Sequence, residues 1–385
     1  MKTQFSISTM PFYWHTKNSI SDTSNVPALL PFELDYNPTF RLITQKYNKI
    51  VLQWLDAIYQ KLPNIGNIQE NSHMSESYKN DFIKFISKYV PIIPGRSNAL
   101  EIGCGGCLIL KDLKKIGFDV LGIDPSPYAM KCGKKMGIEV IQDFFPSPRI
   151  HKRFDLIFHS DVIEHMAEPL KFLKETRQQL NDDGVLIIAV PDSSESLKNG
   201  DISIFLHQHI NYFDPESLKY IIQAAGFGSI LIEKAEFGGS LYCRAIKKKS
   251  PVLYRYEAPD SQWSKYRDFH NKIDKLMRTL KYEIDHVLSD KNKSLGFYAP
   301  IRTLPYLGAW GLWKGFRFFD DSDYLHNKYI DGVNVPIENF EDLTHNPVTD
   351  MFIMSPSFGD VIQSHINDEI GKKVHVRKLT DYYQL

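Results

Sequence analysis

Between Asn98 and Val190 the sequence keeps returning to one rhythm: a short apolar run, a break, then a stretch with apolar residues at helical spacing. The runs are "NALEI", "DVLGI", "IEVIQ", "FDLIFH" and "GVLIIAV". Continuous apolar runs this short read as strands buried on both faces, and their alternation with helices predicts a parallel sheet covered on both sides. Two more strand-like runs, "GSILIEKAEF" and "GSLYCRAIKKK", are separated by glycines and predict a hairpin that closes the sheet with antiparallel strands.

A chain of 385 residues has length for two or three domains. Residues 1–75 are rich in Pro, Asn, Ser and aromatics and read as an N-terminal accessory segment with one helix candidate, "RLITQKYNKIVLQWLDAIYQKL". Residues 76–250 hold the sheet just described. Residues 251–290 contain "WSKYRDFHNKIDKLMRTLKYEIDHVL", a long amphipathic helix without Gly or Pro that is expected to bridge two domains. Residues 291–385 restart a strand and helix rhythm at "KSLGFYAPIRTL", "FRFFDDS" and "DMFIMSPSF", which predicts a second, smaller α/β domain.

The charges balance at 46 acidic and 46 basic residues, which gives no electrostatic footprint for nucleic acid. No stretch reaches 18 consecutive apolar residues and the first residues lack the apolar core of a signal peptide, so no membrane span and a cytoplasmic location are expected. The four cysteines, Cys104, Cys107, Cys132 and Cys243, are too few for a disulfide framework or a four-cysteine zinc module, and no metal site is expected. Lys247, Lys248 and Lys249 read as a solvated strand end, and Trp310, Trp313, Phe316, Phe318 and Phe319 as core.

The first turn of the sheet is "EIGCGGC". Gly103, Gly105 and Gly106 fall between an apolar run and the helical "LILKDLKKIG", where glycine lets backbone approach a ligand and accepts positive φ. Glu101 stands two residues before the first glycine. Asp124 ends the next strand, where a carboxylate can accept from both ribose hydroxyls, and Asp143 ends the third, in reach of an adenine amino group. An acid beside the turn repels a diphosphate but attracts a sulfonium and an amino group. Cys104 and Cys107 have the spacing of a redox or zinc pair, and a helix N-terminus there can lower a thiol pKa.

At "LEIGCGG", "GID", "QDF", "FDLIFHSDVIEHM" and "GVLIIAVP" the chain resembles the class I S-adenosylmethionine-dependent methyltransferases. The resemblance implies an α/β, Rossmann-like class I methyltransferase domain with S-adenosyl-L-methionine as cofactor. It would be bound by Glu101, Gly103, Cys104, Gly105, Asp124, Pro125, Asp143, Phe144, His159 and Ser160. Cys107 stands where that motif commonly has a third glycine.

Methyl transfer is an in-line displacement, so a base or orienting group belongs near the carboxyl ends of the strands. "SDVIEHM" offers His165, which also reads as an anchor for its own loop. "FLHQHINYF" offers His207 and His209, which face the same side if the segment is extended, flanked by Phe205, Tyr212 and Phe213. An imidazole near its ordinary pKa of ~6.5 suits proton removal from a hydroxyl or an acidified carbon.

That segment, followed by "FGGSLYCRA", is similar to the sugar C-methyltransferases of deoxysugar biosynthesis. "DDSDYLHNKYIDGVNVPI" resembles their C-terminal Rossmann-like domain, so the likeness covers residues 76–385. It implies a sugar or nucleotide-linked sugar as substrate, with His207 and His209 catalytic and Tyr78, His165 and Tyr212 against the acceptor; His73 is an alternative to Tyr78. The family's Y-H-E-H is Leu206-His207-Gln208-His209 here, and the family's N-terminal zinc-binding cysteines have no counterpart. Gln208 cannot take a proton at neutral pH. Transfer to oxygen or to carbon therefore stays open, and a catalytically silent binding or scaffold protein is the alternative. A nicotinamide oxidoreductase is disfavoured by the acid before the turn and by the lack of GxGxxG.

Overall fold

The computed structural model describes residues 5–13, 15–22, 24–61, 73–90, 97–236, 239–249 and 262–383. The chain forms two compact units, one made of Tyr36–Asp192 and Gln208–Pro259, the other of Met1–Asp35, Ser193–His207 and Asp260–Leu385.

The first unit is built on a seven-stranded sheet. Its strands are β1 (Asn98–Ile102), β2 (Asp119–Ile123), β3 (Glu139–Ile141), β4 (Phe154–Ser160), β5 (Leu180–Pro191), β6 (Phe227–Lys234) and β7 (Ser240–Lys247), in the order β6-β7-β5-β4-β1-β2-β3. β1 to β5 run parallel, while β7 is antiparallel to both β5 and β6. Every expected strand is present, and the closing hairpin is antiparallel as its glycines predict.

Both faces are covered. Leu100, Ile102, Leu121, Ile123, Ile157, Leu186 and Ile188 point into one core, capped by helices α3 (Pro169–Gln179) and α4 (Pro215–Ala224). Ala99, Val120, Leu156, Phe158, Val185 and Ile187 alternate onto the other face, beneath α1 (Leu108–Lys115), α2 (Pro127–Met136) and the helix His73–Tyr89. Each such Leu, Ile or Phe contributes about 1.5–3 kcal/mol by leaving water. The helix ends follow local chemistry. Ser126 caps α2 by accepting from Tyr128 N at 3.0 Å, Pro127 occupies its first turn, and Gly137 ends it at φ +63°.

The second unit carries its own parallel sheet. After the long helix α5 (Gln262–Ser289) come β8 (Leu295–Tyr298), α6 (Pro300–Trp310), β9 (Phe316–Phe319), β10 (Val333–Glu338), α7 (Phe340–His345), β11 (Asp350–Ile353), α8 (Gly359–Glu369) and β12 (His375–Lys378). The parallel order is β12-β11-β8-β9-β10, with short antiparallel strands at Tyr329–Ile330 and Thr16–Lys17 on one edge. This is the expected smaller Rossmann-like domain. Phe316, Phe318 and Phe319 are core, whereas Trp310 and Trp313 are half-buried.

Four expectations shift. The N-terminal segment is not a separate accessory piece. Strand Ser6–Pro11 lies on α6, inside the second unit, so closely that a Cβ on Gly308 would meet Thr9 O at 2.8 Å, while strand Leu42–Gln45 belongs to the first unit and pairs there with Asn211–Tyr212. The helix expected over residues 41–62 is therefore a strand followed by a helix at Lys49–Lys61. α5 lies wholly inside the second unit, where a Cβ on Gly200 would strike its backbone at Lys272. Finally, Lys247 is buried, with Nζ donating to Leu180 O at 2.7 Å.

Candidate active site

The carboxyl ends of β1 and β2 are adjacent because the strands pair in register, with Ile102 opposite Ile123, and Gly103 N donates to Ile123 O at 2.8 Å. Glu101 and Asp124 flank that pair. Asp124 holds the turn: Oδ2 accepts from Gly105 N at 2.9 Å and Oδ1 from Ser126 N at 2.8 Å. Glu101 is 4% exposed, and its Oε2 has no hydrogen-bond partner among the described residues. Burial above all, with the Cys107 thiol and Asp124 beside it, holds its carboxyl well above the usual range.

The turn itself needs its glycines. Gly103 sits at φ +74° and Gly105 at +43°, and a Cβ on Gly103 would meet Val162 Cγ2 at 2.7 Å. Cys107, where a third glycine was expected, adopts φ +60° as the residue before α1. The cysteine pair is packing. Both thiols are buried with Sγ atoms 3.9 Å apart, and the Cys104 Sγ fills the space over Gly122, where a Cβ would meet it at 2.6 Å. The contact with Cys107 and then burial push the Cys104 thiol up, the reverse of what a helix N-terminus alone would do.

Asp143 lies just past β3. Its N donates to Asp124 O at 3.2 Å, and its carboxylate accepts from Phe144 N and Ser147 Oγ at 2.9 and 2.7 Å. Phe144 is 37% exposed beside it, and Pro125 O accepts from Gln142 Nε2 at 3.3 Å. Glu101, Gly103, Gly105, Asp124, Pro125, Asp143 and Phe144 thus gather at the ends of three neighbouring strands. His159 does not turn its side chain to that edge. The ring is fully buried edge-to-face on Phe172, burial pushes its pKa down to about 3, and neither nitrogen has a partner among the described residues. Only its backbone can serve a ligand.

Beyond β4 the chain makes a tight turn. Ser160 Oγ donates to Asp161 Oδ2 at 3.2 Å, and Asp161 takes φ +54°, a strained conformation for a non-glycine residue. The Asp161 carboxylate is accessible, yet protein encloses it on most sides and lifts its pKa to about 6. Tyr78 lies close by, its hydroxyl 2.9 Å from Ser240 Oγ. Glu164 and His165 follow on a short 3₁₀ turn (Ile163–His165). Glu164 is 1% exposed, and neither carboxylate oxygen has a hydrogen-bond partner among the described residues; burial and then Asp161 raise its pKa well above normal.

The segment Gln208–Tyr212 is stitched onto this turn. Ile210 N donates to Glu164 O at 2.7 Å, and Asn211 Nδ2 donates to Met166 O at 2.7 Å and Ile163 O at 3.2 Å. His165 Nδ1 lies 2.7 Å from Gln208 O and 3.3 Å from the Tyr59 hydroxyl. His209 meets His165 with ring centroids 5.1 Å apart, and Tyr212 OH donates to His209 O at 2.9 Å. Tyr212 is 2% exposed, so it positions the histidine and does not present a ring to an acceptor.

His207 does not join His209. A turn at His207–Gln208 replaces the extended chain that would point both rings one way. His207 instead packs edge-on against Phe12 and Phe32, with Nε2 3.3 Å from Pro31 O, and burial pushes its pKa down to about 4. Three residues at this turn escaped the sequence reading: Tyr59, Asp161 and Asn211. Glu164 was visible in "IEH", a carboxylate on an otherwise buried turn. The side chain of His73 lies outside the described residues.

Residues 71–230 match the protein family described as a methyltransferase domain. With the sheet order and the acids at β1 and β2, these residues are a class I S-adenosylmethionine-dependent methyltransferase domain. Among curated proteins the chain is similar to the C-methyltransferase NovU of Streptomyces niveus, 23% identical over 257 residues, covering 62% of this chain and 61% of that one. It is also similar to the ubiquinone biosynthesis O-methyltransferase of Pelagibacter ubique, 29% identical over 153 residues, covering 38% of this chain and 62% of that one. The chain thus spans less than two thirds of the length of either relative. Among solved structures it is similar to the PH0226 protein of Pyrococcus horikoshii, at 21% identity and a TM-score of 0.41, covering 51% of this chain and 99% of that one. The N-methyltransferase NodS of Bradyrhizobium japonicum, solved with S-adenosyl-L-homocysteine, has 14% identity and a TM-score of 0.38, covering 52% of this chain and 99% of that one.

Proposed function

We propose that this protein is an S-adenosylmethionine-dependent methyltransferase that acts on a sugar, free, nucleotide-linked or part of a glycan precursor. The observation that carries the reading is the pair of acids at adjacent strand ends, one spent on holding the glycine turn and the other buried with an orphaned oxygen. An orphan of this kind costs about 1–3 kcal/mol, and a cationic ligand removes that cost. Asp124 keeps Gly105 in place, Gly103 turns the chain at positive φ against Val162, Asp143 and Phe144 border the far end, and Glu101 faces an amino group or sulfonium.

When bound, the cofactor supplies an electrophilic methyl carbon. Glu164, His165 and His209 make the acceptor more nucleophilic, with His209 the residue assigned to the acceptor itself. His165 holds the Gln208 backbone, and Tyr212 and Asn211 fix the loop. His207 serves the packing around Phe12 and Phe32 and no longer counts among the catalytic groups. The sugar class rests on the likeness of "FLHQHINYFDPESLKYIIQAAGF" to the sugar C-methyltransferases. The two chemistries named for the curated relatives, C- and O-methyl transfer, leave the acceptor atom to experiment.

Calorimetry with S-adenosylhomocysteine, followed by turnover on a panel of nucleotide sugars with mass analysis of the methylated position, tests the reading. Micromolar binding and a methylated sugar are expected. Absence of binding would favour a silent scaffold with a methyltransferase fold.

A further inference from the structure

Glu164, His165 and His209 each offer one ligand atom, and these atoms lie within 4.8 Å of one another. The tautomer of His165 follows from its partners. Nδ1 is 2.7 Å from the Gln208 carbonyl, which can only accept, so Nδ1 carries the proton and Nε2 carries the lone pair. That lone pair faces Glu164 Oε1 at 3.6 Å, beyond ordinary hydrogen-bond reach. A lone pair and an ionised carboxylate held this close repel unless a positive centre lies between them, and burial favours filling that place with a proton or a cation. Two donors bound at about 2.0–2.1 Å to a tetrahedral ion stand roughly 3.4 Å apart, close to that spacing.

We propose that Glu164, His165 and His209 are the ligand set of a divalent cation of the zinc class. Two imidazoles and one carboxylate are the donor set of an open catalytic zinc site, with the fourth position left for a water or an acceptor oxygen. The carbonyl behind His165 is the outer partner that orients a metal-binding histidine and fixes its tautomer. Asn211 holds the turn that carries the other ligand, with the Tyr59 hydroxyl beside His165. This departs from the expectation of no metal, which rested on the cysteines. The inference deepens the proposed function: a hydroxyl bound at the fourth position would become more acidic, give up its proton to water and present its electron pair to the methyl carbon, whose bond to the sulfonium sulfur breaks to release S-adenosylhomocysteine.

The test uses the full chain, freed of metal by a chelator and titrated with Zn²⁺ by calorimetry and with Co²⁺ by visible absorption. One equivalent bound with a Kd below about 1 µM is expected, weakened about tenfold to a hundredfold in His209→Ala and in Glu164→Gln and unchanged in His207→Phe. The Co²⁺ spectrum of the unaltered chain is expected to be that of a four-coordinate nitrogen and oxygen site. A thiolate band would move the site to the cysteines and overturn the proposal, as would affinity untouched by both substitutions or no binding below millimolar. The same samples are titrated with S-adenosylhomocysteine. S-adenosylhomocysteine binding without metal binding sinks this inference alone, and metal binding without it sinks the methyltransferase reading alone.

Discussion

The two units treat a buried carboxylate in opposite ways. In the second unit Asp201 is fully buried and accepts five hydrogen bonds: Ser196 Oγ at 3.0 Å, Ser203 N at 2.7 Å, and Ser203 Oγ, Tyr306 OH and Tyr383 OH each at 2.8 Å. In the first unit Glu101 and Glu164 are nearly as buried, yet they keep oxygens without any partner among the described residues. A saturated acid holds elements together. An unsaturated one costs stability and is retained where a ligand completes it. The two parallel sheets repeat the contrast. The turn after β1 is glycine-rich, whereas the turn after β8 enters α6 through Ala299 at φ +66° and Pro300, with no glycine between them.

The largest test of this contrast is His209→Ala, which is expected to lower methyl transfer about a thousandfold, near 4 kcal/mol, while leaving S-adenosylhomocysteine affinity unchanged by calorimetry. Equal turnover would show that the unsaturated cluster is idle. Asp201→Ala strands five donor groups and is expected to lower unfolding free energy by about 3 kcal/mol in a urea titration, without weakening S-adenosylhomocysteine binding. Cofactor loss at unchanged stability would erase the division between holding and binding acids.

His207 sharpens the same line. Its folded pKa is lowered to about 4 from an ordinary ~6.5, so the unfolded chain binds the extra proton first. Its contribution is complete above about pH 6.5 and is lost as pH falls through about 4. His207→Phe is expected to remove up to about 3 kcal/mol of acid sensitivity across that window, measured as unfolding midpoints at stepped pH. Glu101→Gln is the mildest, weakening S-adenosylhomocysteine binding about thirtyfold, roughly 2 kcal/mol, with a melting temperature equal to or above that of the unaltered chain. A fall in melting temperature would make Glu101 a structural acid like Asp201.

Much of this was legible in the sequence because the governing interactions are local. Strand runs and the acids at two strand ends follow from residues near one another. What the sequence hid is long-range. Strand Leu42–Gln45 reads as helix because its partner, Asn211–Tyr212, lies far along the chain, and Tyr59 reaches His165 only once that pairing is made. The two histidines diverge because one turn breaks the period-two geometry that their spacing implies. Asp161 betrays itself only through its backbone angle.

His165 is held by the main-chain carbonyl of residue 208 and not by a side chain. Every amino acid brings that oxygen, so position 208 can be altered by mutation while the imbidazole beside it keeps its aim. A loop wired in this way lets acceptor preference drift between generations, or between rounds of directed evolution, without first dismantling the chemistry.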